Sequence, residues 1–223
     1  MPFYVAPEQL MKDKADYARK GIARGRSLVG ITYQDGVLLA AENPSGTLHK
    51  ISEIYDRIAF AGVGRFNEYD QLRQAGVRSA DIKGYTYSRE DVDARSLANS
   101  YAQIIGQMFT HDIKPLEVEI LVAEVGSAPE ADQLFHISYD GTVVDEHKFS
   151  VIGGEAEAIA ERVERDYRDA MSLGEAVKAT VSALGGPDRR IEPAELEIAV
   201  LARSLVRRAF RRIADDEIAS FLG

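Results

Sequence analysis

Cysteine is absent from this 223-residue chain. Its absence excludes a disulfide framework, a thiol nucleophile and a thiolate metal site, and it fits a reducing compartment. Long apolar runs are missing too, and none reaches the ~20 residues that a membrane-spanning helix requires. The opening MPFYVAPEQL has neither the basic n-region nor the long apolar stretch of a secretory signal, and no lipidation motif follows. A cytoplasmic address with no membrane partner is therefore expected. Positive charge is in deficit, with 27 Lys and Arg against 36 Asp and Glu for a net charge of -9. Phosphate neutralisation needs a clustered positive field, so no nucleic-acid partner is expected. Histidine occurs four times, as His49, His111, His136 and His147, without metal-ligand spacing. Exposed histidines, no metal and no cofactor are the reading. Gly62-Val63-Gly64 lacks the third glycine and the strand-to-helix setting of a dinucleotide-binding loop.

What is present is the composition of a soluble globular protein, 45% hydrophobic and 28% charged. The length suffices for a full core, and one domain over residues 1–223 is expected. A first helix is expected over 7–24, with Pro7 at its first position and Glu8 near the positive end of the dipole. Met11, Ala15, Ala18 and Ile22 lie on one face with Leu10 and Tyr17 beside it, a narrow stripe that needs a surface to lie against. A hairpin follows, with strands over 28–33 and 37–42 joined through Gln34-Asp35-Gly36. Val37 to Ala41 and Ile58 to Val63 are continuously apolar. An antiparallel strand with one wet face alternates, so these runs place both faces of their sheets under cover.

Helices are expected from 65 to 110, the first breaking at Gly76 or Gly84 and the second opened by the capping box Ser88-Arg89-Glu90-Asp91. Leu97, Ala98, Tyr101, Ile104, Ile105 and Met108 have core-facing spacing on that second helix. Strands are expected over 118–125, 133–138, 143–145 and 149–152, then helices over 155–169 and 173–184, the latter opened by a capping box at Ser172 and Glu175. A strand over 195–202 and a helix over 214–221 close the chain. Runs of strands separated by runs of helices argue against a doubly wound parallel sheet and suit an α+β fold, a four-layer αββα sandwich. Arg203, Arg207, Arg208, Arg211 and Arg212 form a basic segment read as a subunit contact or solvated face, with Asp215, Asp216 and Glu217 near enough to pair with it.

The stretch RSLVGITYQDG from Arg26, followed by ENPSGTLHKISEIYDR (42–57), AGVGRFNEYD (61–70) and RSLANSYAQ (95–103), resembles the proteasome subunit family. The preceding PEQLMKDKADYARKGIARG resembles the N-terminal helix of its non-catalytic alpha type, especially that of actinobacteria. Catalytic members use the hydroxyl of their first residue, with its own free amine as base, so nothing precedes it. Here Arg26-Ser27 stands at that place behind twenty-five residues. The resemblance implies the αββα fold and a chain without catalytic residues. It also implies a homo-heptameric ring stacked on catalytic beta rings, admitting unfolded protein substrates and docking a ring-shaped ATPase activator.

Further residues follow from the resemblance. Lys50 falls where catalytic members carry the lysine that assists their threonine, and where alpha-type members receive the C-terminal carboxylate of an activator tail. A lysine ammonium holds such a carboxylate by a charge-assisted bond. Gly25 and Gly64 match glycines that let the tail approach the backbone, and Asp16 matches an acidic position near the pocket rim. Arg65 replaces an apolar residue that archaeal relatives have beside Gly64. Met1 to Ala6 are the candidate gate, with Phe3, Tyr4 and Val5 in place of the Tyr-Asp-Arg triplet of archaeal and eukaryotic gates. The alternatives are a hydrolase of the same fold matured to begin at Ser27, and a non-proteolytic interaction domain.

Overall fold

Pro7 opens the first helix, α1 (Pro7–Ile22), with Glu8 in its first turn and Arg19 and Lys20 in its last, each charge opposite in sign to its end of the dipole. The computed structural model describes residues 6–205 and 207–223. The expected gate residues Phe3, Tyr4 and Val5 thus lie outside the described residues. Helix α1 ends two residues before the expected Arg24, because the Ala23 and Gly25 amides turn back onto the Arg19 and Ile22 carbonyls. Of its expected apolar stripe, Ala18 and Ile22 are buried and Met11 and Ala15 partly so, whereas Leu10 and Tyr17 stay nearly half exposed. Lys14 is buried in their stead, its ammonium donating to the Phe109 and Thr110 carbonyls at 3.0 and 3.3 Å.

Strands β1 (Leu28–Tyr33), β2 (Gly36–Glu42), β8 (Phe149–Ile152), β9 (Leu196–Ala202) and β10 (Phe210–Arg212) form one antiparallel sheet in the order β10-β9-β2-β1-β8. Strands β3 (Ile51–Tyr55), β4 (Ile58–Gly64), β5 (Val118–Glu124), β6 (Gln133–Ile137) and β7 (Val143–Glu146) form the second, in chain order. The tight turn at Asp35-Gly36 pairs Tyr33 with Gly36 and Leu28 with Ala41.

The continuous apolar runs resolve as two-sided burial. Val37, Leu39 and Ala41 of β2 join Ala59, Ala61 and Val63 of β4 in a core between the sheets. Leu38 and Ala40 of β2 point the other way, into a layer made by α4 (Ala156–Asp166), α5 (Leu173–Gly185) and α6 (Asp215–Leu222). Ile58 and Phe60 of β4 likewise meet α2 (Phe66–Thr86) and α3 (Ala94–His111). The result is the expected αββα sandwich. Ala18 and Ile22 of α1 belong to the core between the sheets, so that helix closes one end of the sandwich.

Four expectations are corrected. Helix α2 does not break at Gly76 or Gly84; a Cβ at either would lie about 2 Å from the Tyr101 or Tyr55 hydroxyl, so the glycines make room for neighbouring side chains inside an unbroken helix. Ser88 to Asp91 forms a single 3-10 turn, and α3 starts later, its Asp93 carboxylate accepting from the Ser96 amide at 2.7 Å. Ile104 is more exposed than the other expected core residues of α3. His136 is not exposed: it sits in β6 with its Nε2 4.0 Å from Glu119, and burial pushes its basicity down while Asp140 opposes the shift. The capping box of α5 forms as expected, with the Ser172 amide donating to Glu175 at 2.8 Å.

Candidate functional site

At the end of β4 the chain must turn sharply into α2, and Gly64 does this with φ +109°. A Cβ there would lie 1.9 Å from the Glu117 carbonyl oxygen, so both the backbone region and the space require glycine. Gly25 sits against it: a Cβ on Gly25 would meet the Gly64 nitrogen and the Val63 side chain at 3.1 Å. Two glycines from distant parts of the chain thus lie in backbone contact where α1 passes into β1.

Lys50 reaches the same place from the loop between β2 and β3. Its carbonyl accepts from the Gly62 amide at 3.0 Å, which fixes the loop end to β4. Its Nζ donates to the Arg26 carbonyl at 2.8 Å. Burial, opposed by Glu197 and reinforced by Arg26, pushes its pKa down to about 8. The ammonium is half-buried and faces a neutral carbonyl, which leaves it able to take an anion.

Lys50, Gly25 and Gly64 are therefore brought together. Asp16 is not joined to them among the described contacts; it pairs with Arg19 at 3.6 Å, about two turns earlier on α1. Arg65, exposed at the head of α2, lies 3.4 Å from the buried Glu117 and 3.8 Å from Glu68.

Beside this site, around Arg26 and Ser27, the chain has built a set of ion pairs. Arg26 pairs with the buried Glu42, which also takes Arg189 through two bonds of 2.7 Å. Ser27 is buried, and its Oγ accepts from the Glu155 amide at 3.4 Å. These residues line a cleft of about 340 Å³ with Ile159 and Leu184 among its walls.

The basic segment is not a free patch. Arg203 pairs with Asp132, Arg208 with Glu53, Arg211 with Glu217 and Arg212 with Glu197. Only one of the recorded partners, Glu217, comes from the acidic stretch expected to supply them. No group of three or more metal-ligating side chains occurs among the described residues, and no described helix is long and apolar enough to cross a membrane.

The family model described as "Proteasome subunit" matches residues 22–201. A protein of Acidimicrobium ferrooxidans named "Proteasome subunit alpha" is 59% identical over 223 residues, covering all of this chain and 96% of that protein. Proteins of the same name from Sanguibacter keddieii and Thermobifida fusca are 56% and 54% identical, each covering 100% of this chain and 91% and 90% of their own lengths.

Proposed function

Because the chain belongs to the proteasome subunit family and to its alpha type, we propose that it forms the outer, seven-membered ring of a 20S core in the cytoplasm. In this reading it performs no chemistry itself, admits unfolded protein to beta subunits, and receives the tail of a ring-shaped ATPase on Lys50. The carrying observation is the convergence of Lys50, Gly25 and Gly64: a half-buried ammonium on the Arg26 carbonyl, next in the chain to a glycine packed against Gly64. A tail ending in a carboxylate would find one charge-assisted partner there.

The non-catalytic part rests on Ser27 and α1. The Ser27 nitrogen is in peptide linkage to Arg26, and the helix before it contributes Ala18 and Ile22 to the core between the sheets. A leader destined for removal would take part of that core with it. Assembly is supported by exposed apolar side chains: Ile82, Tyr85 and Tyr87 near the end of α2 are 67%, 94% and 76% exposed. Clustered exposed apolar surface of this kind marks contact sites in soluble proteins.

The test is Lys50→Ala in the assembled core. A lost charge-assisted contact of about 1.5–3 kcal/mol corresponds to roughly tenfold or more in affinity per tail. ATPase-driven degradation of folded protein should fall by at least that factor, with hydrolysis of short peptides unchanged. Undiminished ATPase coupling would refute the docking role.

A further inference from the structure

Glu197 lies in β9, on the face turned toward the second sheet, in an otherwise apolar strand. A carboxylate there costs several kcal/mol of desolvation unless donors surround it. Here they do. Its Oε2 accepts from the Lys50 amide at 2.8 Å and from Asn43 Nδ2 at 2.7 Å. Its Oε1 accepts from the Ile51 amide at 3.2 Å and Arg212 Nη1 at 2.6 Å, with His49 Nδ1 3.3 Å away.

These donors are the two ends of one loop. Asn43 begins the segment after β2, and Lys50 and Ile51 end it at β3. The Asn43 amide also donates to the Leu48 carbonyl at 2.7 Å, and Arg212 donates to the Ile51 carbonyl. The loop of residues 43–50 is thereby pinned at both ends to one buried charge, and Lys50 is its last residue.

We infer that Glu197 is a positioning residue for tail docking: it sets the path of loop 43–50 so that the Lys50 side chain leaves toward Arg26. This rests on the docking reading above. The ionisable groups around the pair are Arg26 before β1, His49 in the loop, Arg212 of β10 and Tyr69 of α2. Arg26 opposes the charge of Lys50, whereas the Tyr69 phenol, pushed up to about 12 first by burial and then by Glu197, stays neutral. Removing the negative charge takes away the raising influence of Glu197 while the lowering influences of burial and Arg26 remain, and makes the Lys50 ammonium easier to deprotonate.

The experiment uses the assembled core and a fluorescein-labelled hexapeptide copied from the C-terminus of the cognate ring ATPase, with its C-terminal amide as blank. Carboxylate-dependent binding is followed from pH 6 to pH 10 for the unaltered core, Glu197→Gln and Lys50→Ala. Glu197→Gln should bind several-fold more weakly at pH 7 and lose binding at a lower pH than the unaltered core. A loop contact with only a structural role has no reason to move that midpoint. Carboxylate-dependent binding that survives Lys50→Ala overturns the docking reading itself. Binding lost in Lys50→Ala but unaltered in Glu197→Gln, in affinity and midpoint, overturns only the role of Glu197. Should Glu197→Gln not assemble, Arg212→Gln loosens the same anchor from its exposed side. A several-fold loss of tail affinity is then expected, and full affinity contradicts the inference.

Discussion

Lys50 is held by a neutral carbonyl 2.8 Å away in a half-buried setting, and this makes its charge conditional on pH. Burial is the largest influence and brings its pKa down to about 8, so the ammonium predominates below that value and gives way to the neutral amine above it. Only the charged form attracts a carboxylate. Tail binding should therefore be flat below pH 7 and weaken by about tenfold per pH unit above 8, as titration of a single required proton demands. Fluorescence anisotropy across that range checks it, and binding that holds to pH 10 contradicts it. The position of Lys50 was legible through its family resemblance, but its surroundings were not. Alternation along 195–202 separates Glu197 from Leu196 and Ile198 correctly; it does not say that the face bearing Glu197 also lies under cover. A carboxylate on an interior face reads in one dimension like a carboxylate in water. The site residues found only in the structure, Glu42, Arg189 and Glu197, each have a partner 147 positions away along the chain, and no spacing rule links such positions.

Among the elements, α2 shows how packing overrides local propensity. Glycine in a helix interior costs about 1 kcal/mol relative to alanine, which is why Gly76 and Gly84 read as breaks. The structure uses both as sockets, Gly76 for the fully buried Tyr101 and Gly84 for Tyr55. Gly76→Ala gains the helical term but drives a methyl to 1.7 Å from the Tyr101 oxygen, and Tyr101, packed on Phe60 at 5.7 Å, has no room to withdraw. Overpacking costs of about 1–3 kcal/mol exceed the helical gain, so the substitution should lower the unfolding midpoint. Gly106→Ala in α3 is the counterpart: the nearest atom beyond its own helix is 3.5 Å away, an ordinary contact, and a gain of up to ~1 kcal/mol is expected. Thermal or urea unfolding of the two variants should move in opposite directions. Strands β3 and β10 escaped the sequence reading for a related reason. Strand β3 does not alternate strictly, with Ser52 and Glu53 adjacent between Ile51 and Ile54, and β10 (Phe210–Arg212) is held in register by β9 within a segment whose arginines read as a charged face.

At the scale of the whole molecule, the layer order was the most legible feature. Apolar runs in β2 and β4 that refuse to alternate require cover on both sides, and antiparallel sheets covered on both sides by one another and by helices leave little besides an αββα sandwich. In the proposed reading, what sets this chain apart from a catalytic member is the treatment of one end of that sandwich. Here α1 closes it, Arg26 and Arg189 meet on Glu42, and Lys50 reaches the Arg26 carbonyl beside them. The claim that α1 remains part of the working protein is open to a direct measurement: the intact mass of this chain taken from a barrel co-assembled with its beta subunits. The account predicts a mass that still includes α1 and Arg26. A mass beginning at Ser27 would contradict it.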